Sequence, residues 1–271
     1  MKEKNMVVYF GAAGCGEAYC RNSGITPDIF VDNDSSKWGT LFNGVEVMDP
    51  AVLISLPLTQ VVVTSSFLKE VYPQILRLGV DEDIIHIPSK SMWSSHVFED
   101  EIIRVQAADK LYETMAALSD KWSLVAVGGT ALGFNRSNDF ILWDDDIDLF
   151  APIQLKPALL DLLKSQGLEV EDKLDSIMRS IVFSLPLESG VKIPVSVDFF
   201  DADSKSFTDS FEDYTWEWPT KMFTQCAQVE VHGKPMNVPN PPGKYLSEVY
   251  GSTWAEPNPN FGYSDYAGNK A

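Results

Sequence analysis

Trp143-Asp144-Asp145-Asp146-Ile147-Asp148-Leu149-Phe150 places four carboxylates within five residues and interleaves them with apolar side chains. A solvated acidic loop has no need of Ile147, Leu149 and Phe150, whereas a half-buried strand does. Side chains alternate faces along a strand. Asp144, Asp146 and Asp148 then share one face, with Ile147 and Leu149 pointing the other way into a core. If the strand already runs there, Asp145 falls on the apolar face and reads as a strand-entry residue rather than a ligand. Carboxylates stacked on one face repel each other, and a hard divalent cation with oxygen ligands relieves that repulsion.

Upstream, Leu124-Val125-Ala126-Val127 reads as a buried strand running straight into Gly128-Gly129-Thr130-Ala131-Leu132-Gly133. A strand, a Gly-Gly turn and a helix start present N–H groups that accept phosphate oxygens, and a side chain there would block the approach. Before that strand, Ile103, Ala107, Leu111, Met115 and Leu118 form one face of an amphipathic helix, with Asp120 as a candidate end. Downstream, Val195, Val197 and Phe199 alternate with Ser196, Asp198 and Phe200. Asp198 thus sits mid-strand, where a carboxylate without a partner is costly, and a metal shared with the acid block removes the difficulty. Arg179, in the strand-like stretch Ile177 to Phe183, reads as a cross-strand neighbour. Lys244 to Tyr250 reads as a helix that packs Tyr250 onto the core, and His86, His96 and His232 lack metal-ligand spacing.

The first ninety residues have a different rhythm. Val7-Val8-Tyr9-Phe10, Ile29-Phe30-Val31 and Val61-Val62-Val63 read as strands, and Phe67 to Leu78 has helical spacing. Alternation of this kind predicts a small doubly wound parallel sheet. Gly11, Gly14 and Gly16 follow the first strand as GxxGxG, a variant of the dinucleotide order, and Asp32 ends the second strand where an acid can meet a ribose. These four are the candidate nucleotide contacts of the first domain, beside the plainer reading that the glycines only permit a tight turn. Ser89 to Ser95 reads as a linker, giving domains over 1–90 and 96–271.

Composition narrows the partners. With 21 basic and 39 acidic residues, the chain carries a net charge of −18, a poor fit to nucleic acid or an anionic membrane surface. No stretch approaches the ~20 apolar residues of a membrane span. Cys15, Cys20 and Cys226 show no CxxC spacing and no disulfide framework, which points to the cytoplasm.

Two resemblances follow. Phe30-Val31-Asp32-Asn33-Asp34 through Lys37-Trp38-Gly39, with Asn43-Gly44-Val45, resembles the Rossmann-like modules beside many bacterial sugar-modifying enzymes. Gly-Gly, then an apolar-flanked Asp-x-Asp, then a later strand carboxylate resembles the nucleotidyltransferase superfamily. More narrowly, Gly128 to Gly133, Arg136 and Phe140 to Asp148 resemble the LicD family, relatives of fukutin. Val238-Pro239, Tyr245-Leu246, Tyr250-Gly251, Trp254 and Pro257 are similar to that family's C-terminal signature. Two positions depart from it: Ser137 stands where His is common, and Leu142 where Pro is common.

The expected fold class is therefore α/β, a small Rossmann-like parallel-sheet domain followed by an α+β nucleotidyltransferase-fold domain. The LicD resemblance implies transfer of a phospho-alcohol, such as phosphocholine, ribitol phosphate or glycerol phosphate, from a CDP-linked donor to a sugar hydroxyl of a glycan. Asp146 and Asp148 would hold Mg²⁺ or Mn²⁺, with Asp144 sharing one ion. Asp198 would complete the metal shell or take the acceptor's proton. Gly128, Gly129 and Thr130 would approach the diphosphate, and Arg136 would offer a fork to a phosphate or carboxylate. The alternatives are nucleotidyl transfer from a triphosphate with pyrophosphate release, and a non-catalytic sugar-nucleotide-binding scaffold.

Overall fold

β-branched and aromatic runs in the first ninety residues assemble into one sheet buried on both faces. The computed structural model describes residues 5–65, 67–118, 122–174, 179–211 and 213–270. It divides into two compact units, Met1–Ser95 with Asn258–Asp265, and His96–Pro257 with Tyr266–Ala271.

The first unit contains β1 (Met6–Phe10), α1 (Gly14–Ser23), β2 (Ile29–Val31), β3 (Leu41–Phe42), β4 (Val45–Met48), β5 (Leu58–Val63), α2 (Leu68–Arg77), β6 (Ile85–His86) and α3 (Lys90–Trp93). The sheet order is β3-β4-β2-β1-β5-β6, parallel except for the β3–β4 hairpin. This is the doubly wound order predicted from the alternation, with the chain reversing direction across the sheet between β1 and β5. Period two separates the faces. Val8, Phe10, Val31, Val61 and Val63 pack with Val71 and Ile75 of α2. Tyr9, Phe30 and Val62 pack with Tyr19 of α1. Such two-sided burial explains why these strands read as unbroken apolar runs. Within the Ser-rich stretch, α3 is held by the Asn22 side-chain amide, which donates to the carbonyls of Met92 at 3.2 Å and Ser94 at 3.1 Å.

The second unit opens with α4 (Glu101–Ala116), whose N-cap Asp100 accepts from Ile102 N. Ile103, Ala107 and Leu111 are its buried face. Asp120, its expected end, lies outside the described residues, as does Ile177. Then follow β7 (Val125–Ala126), α5 (Gly128–Ser137), β8 (Ile147–Pro152), α6 (Lys156–Ser165), β9 (Val170–Leu174), β10 (Arg179–Pro186), β11 (Lys192–Phe200), β12 (Ser206–Phe211), β13 (Tyr214–Pro219), α7 (Lys221–Thr224), β14 (Ala227–Val231), β15 (Lys234–Val238), α8 (Pro242–Tyr250) and β16 (Asn269–Lys270). The main sheet runs β7-β8-β11-β10-β9, with β8 and β11 parallel and the other pairs antiparallel. A three-stranded sheet, β12-β13-β16, and the β14–β15 hairpin complete the unit.

Register sets which side chains meet. Asp148 lies beside Ser196, and Phe150 beside Asp198. These four and Phe200 therefore share one face. Phe150 and Phe200 join Phe207 and Phe223 in an aromatic cluster there, with centroid distances of 4.7–5.8 Å. Arg179 lies opposite Phe199, on the other face, where it lines a surface groove with Lys156 and Lys164.

Candidate active site

β7 ends at a turn that favours glycine. Gly128 has φ +54°, and a Cβ on it would lie 3.1 Å from Asp148 Oδ2. A Cβ on Gly129 would collide with Asp144 Oδ2. The two glycines thus exist so that carboxylates can lie directly against the backbone at the start of α5. Asp148 is held from three sides. Its N–H donates to Thr130 Oγ1 at 3.0 Å, its carbonyl accepts from Val127 N at 3.0 Å, and its Oδ1 accepts from Ser196 Oγ at 2.8 Å.

The acid block is loop first and strand second. β8 starts at Ile147, so period two governs Ile147 onward but not Asp144–Asp146. The expectation that Asp145 stands apart does not hold. Asp144, Asp145 and Asp146 each bring an oxygen within 4.8 Å of the others. Asp144 is buried at 6% exposure and the other two are half-buried. Its Oδ1 accepts from Asp145 N at 3.1 Å, and its own N–H donates to Ile141 O at 2.9 Å, which curls the chain into the cluster. Asp198 shares the Asp148 face, one cross-strand pair further along. The donor set is carboxylate oxygen alone, which suits a hard divalent cation and no thiophilic one.

The helix turn is corrected in one respect. The Gly128 N–H, expected at a phosphate, donates instead to Tyr245 Oη at 2.9 Å. Gly129 and Thr130 remain in the first turn of α5, where no intrahelical carbonyl serves their N–H groups. Arg136, in the last turn of α5, sets its guanidinium 5.8 Å from the Trp143 ring centroid. Burial pushes that guanidinium below its usual range, partly offset by Tyr250. Burial likewise pushes Tyr250 well above the usual tyrosine range, with further upward contributions from Tyr266, Tyr245, Asp144 and Asp148. Arg136, Trp143 and Tyr250 therefore border the acids.

The sequence reading names Tyr245 in the C-terminal signature and Ser196 on the alternating strand but gives neither a place at the site, and it does not name Trp218 or Asp209. Ser196 was findable, being two residues before Asp198 on an alternating strand. Asp209 offered no signal, because β12 itself follows no period of two, although its partner Trp218 lies in the paired strand β13. Burial pushes its carboxyl up to about 6, opposed by a 3.2 Å hydrogen bond from Trp218 Nε1.

Other candidates resolve as framework. His232 Nε2 lies 2.7 Å from Asp139 Oδ1, and Arg104 Nε donates to Asp139 Oδ2 at 2.9 Å, so that histidine is structural. In the first unit, Asp32 does not stand open for a ribose. Its carboxylate accepts from Ala12 N at 2.8 Å, Asp34 N at 2.9 Å and Lys37 Nζ at 2.8 Å. Gly11 has φ +122° and packs on Thr64, and Gly16 packs on the Gly11 carbonyl and Phe30. Gly14 alone of the three faces open space.

A Gly-Gly turn pressed against strand and loop carboxylates is the arrangement expected above of a nucleotidyltransferase-type fold. The family model described as LicD/FKTN/FKRP, nucleotidyltransferase domain, matches residues 122–241. A curated relative is Ribitol-5-phosphate transferase FKTN of Mus musculus, 27% identical over 141 residues. The match covers 48% of this chain and 28% of the length of that relative. Among solved structures, the Cid1 poly(U) polymerase is similar at 20% identity, TM-score 0.27, over 34% of this chain and 28% of its own. The lincosamide antibiotic adenylyltransferase LnuA, lincomycin-bound, is similar at 12% identity, TM-score 0.30, over 44% of this chain and 70% of its own.

Proposed function

We propose that this protein transfers a phospho-alcohol group, such as ribitol phosphate, glycerol phosphate or phosphocholine, from a CDP-activated donor to a sugar hydroxyl of a glycan. The observation that carries the reading is the close packing of Asp144 and Asp148 on Gly129 and Gly128, beside the Asp144–Asp146 oxygen cluster. The LicD match and the likeness to a ribitol-5-phosphate transferase support the choice of transferred group.

Mg²⁺ or Mn²⁺ would be held by Asp144, Asp146 and Asp148, with Asp145 in reach, and would neutralise charge on the transferring phosphoryl group. Gly129 and Thr130 offer backbone N–H groups to the donor diphosphate. Arg136, braced on Trp143, offers a planar fork to a phosphate oxygen. Asp198 is the residue to take the proton from the acceptor hydroxyl or to complete the metal shell. Phosphoryl transfer depends mainly on positioning and charge neutralisation, and these groups supply both.

The test incubates the protein with Mg²⁺ and CDP-ribitol, CDP-glycerol or CDP-choline and measures CMP, with pyrophosphate measured from CTP in parallel. CMP release is expected. Pyrophosphate without CMP would assign a true nucleotidyltransferase instead. We further propose that the chain works as two domains, expected at 1–90 and 96–271, with Asn258–Asp265 grouped with the first. Among the described residues no helix is long and apolar enough to cross a membrane.

A further inference from the structure

Gly128 is held on two sides. A Cβ built on it would lie 3.1 Å from Asp148 Oδ2, and its N–H donates to Tyr245 Oη across 117 residues of chain. Glycine at positive φ has wide conformational freedom, so a turn built on it needs an external hold. Thr130 Oγ1 in the first turn of α5 and Ser196 Oγ on the neighbouring strand β11 fix Asp148, and Tyr245 fixes the backbone that Asp148 leans on.

Tyr245 is itself immobilised. It is 2% exposed, and its ring packs 5.0 Å from that of Trp218, which is fully buried, and 6.0 Å from that of Phe223. Trp218 is anchored in turn by its bond to Asp209 Oδ2. Burial, then the charge of Asp209, push the Tyr245 hydroxyl well above its usual range, so it keeps its proton throughout the neutral range.

We propose that Tyr245 is a positioning residue for the acid cluster: through Gly128 its hydroxyl sets where Asp148 stands relative to Asp144 and so tunes cation affinity. The inference rests on the metal-site reading above. Tyr245 touches neither cation nor substrate, and it acts from behind the turn. Partners that orient metal ligands typically change affinity or activity by about 10- to 100-fold when lost.

The experiment titrates the full chain with Mn²⁺ in the presence of CDP and follows free Mn²⁺ by electron paramagnetic resonance. Tyr245→Phe removes one oxygen and keeps the ring. Mn²⁺ binding is expected to weaken about 10-fold or more. Tyr214→Phe is the control, a buried tyrosine whose ring packs on Trp216 and Tyr266 rather than on the turn, and its Mn²⁺ binding should match wild type. Equal Mn²⁺ binding in wild type and Tyr245→Phe, or equal weakening in both variants, overturns the proposal. Where Tyr245→Phe does not fold, Trp218→Phe carries the test; weaker Mn²⁺ binding is expected, and unchanged binding overturns the inference. A wild type that binds Mn²⁺ but releases no CMP would sink the transfer reading while leaving the role of Tyr245 standing. A wild type that binds no Mn²⁺ sinks both.

Discussion

Asp146 and Asp148 differ in support. Asp148 is gripped by Thr130 and Ser196, whereas Asp146 belongs to the loop that Asp144 curls. On the proposed assignment, Asp146→Asn and Asp148→Asn each remove one ligand charge and lower Mg²⁺-dependent CMP release by at least about 10²-fold, a scale set by the charge a metal stabilises in the transition state. Circular dichroism should show both variants folded, because less negative charge crowds the cluster. Turnover close to wild type in either would dismiss that ligand. Gly129→Ala is the steric counterpart. Its Cβ must displace Asp144 Oδ2, so turnover should fall by about 10-fold or more, as for any ligand moved out of place. At this scale the sequence was informative about residue type and less so about geometry. The run of aspartates announces a cation site, but the chain becomes a strand only at Ile147, so a period of two does not separate Asp145 from Asp144 and Asp146.

Elements explain why the glycine turn stays in place. The C-terminal end of α5 is pinned at Asp139, which joins Arg104 of α4 to His232 in the turn of the β14–β15 hairpin. Arg104 also donates to the carbonyls of Phe98 at 2.7 Å and Glu99 at 3.0 Å. Asp139→Ala leaves a half-buried guanidinium without its carboxylate and frees both neighbours of α5. A loss of about 2 kcal/mol is expected, read from the midpoint of urea unfolding. A shift indistinguishable from that of Lys110→Ala, which removes only an exposed pair with Glu113, would show that Asp139 joins nothing. α4, β8 and β11 were legible from apolar periodicity, α5 from the Gly-Gly turn that follows a strand, and α8 from the aromatics that pack it. The β12–β13 and β14–β15 hairpins were not. β12 follows no period of two and exposes Thr208 and Phe211, which kept Asp209 out of view. In β13, by contrast, Tyr214, Trp216 and Trp218 are buried and alternate with Thr215 and Glu217, a period-two signal that marks Trp218 as a core residue. The hold on Tyr245 is a contact across distant elements that no local pattern carries.

The whole molecule carries −18 charges, and one of its acids is placed where charge is costly. Burial raises the Asp209 carboxyl from its ordinary 3.8 to about 6. Between about pH 4 and about pH 6 the folded chain holds a proton there that the unfolded chain has released. Stability therefore falls as pH rises through that window and stays lowered above it. The interval from 3.8 to about 6 corresponds to at most about 3 kcal/mol, at about 1.4 kcal/mol for each tenfold change in proton affinity. Asp209→Asn keeps an oxygen to accept from Trp218 Nε1 and removes the charge. Its melting temperature should exceed that of wild type at pH 8, and the difference should shrink as pH falls and vanish by about pH 4. A gain independent of pH would mean that packing, not ionisation, separates the two. A loss at pH 8 would mean that the carboxylate is satisfied in its charged form by the surrounding aromatic cluster.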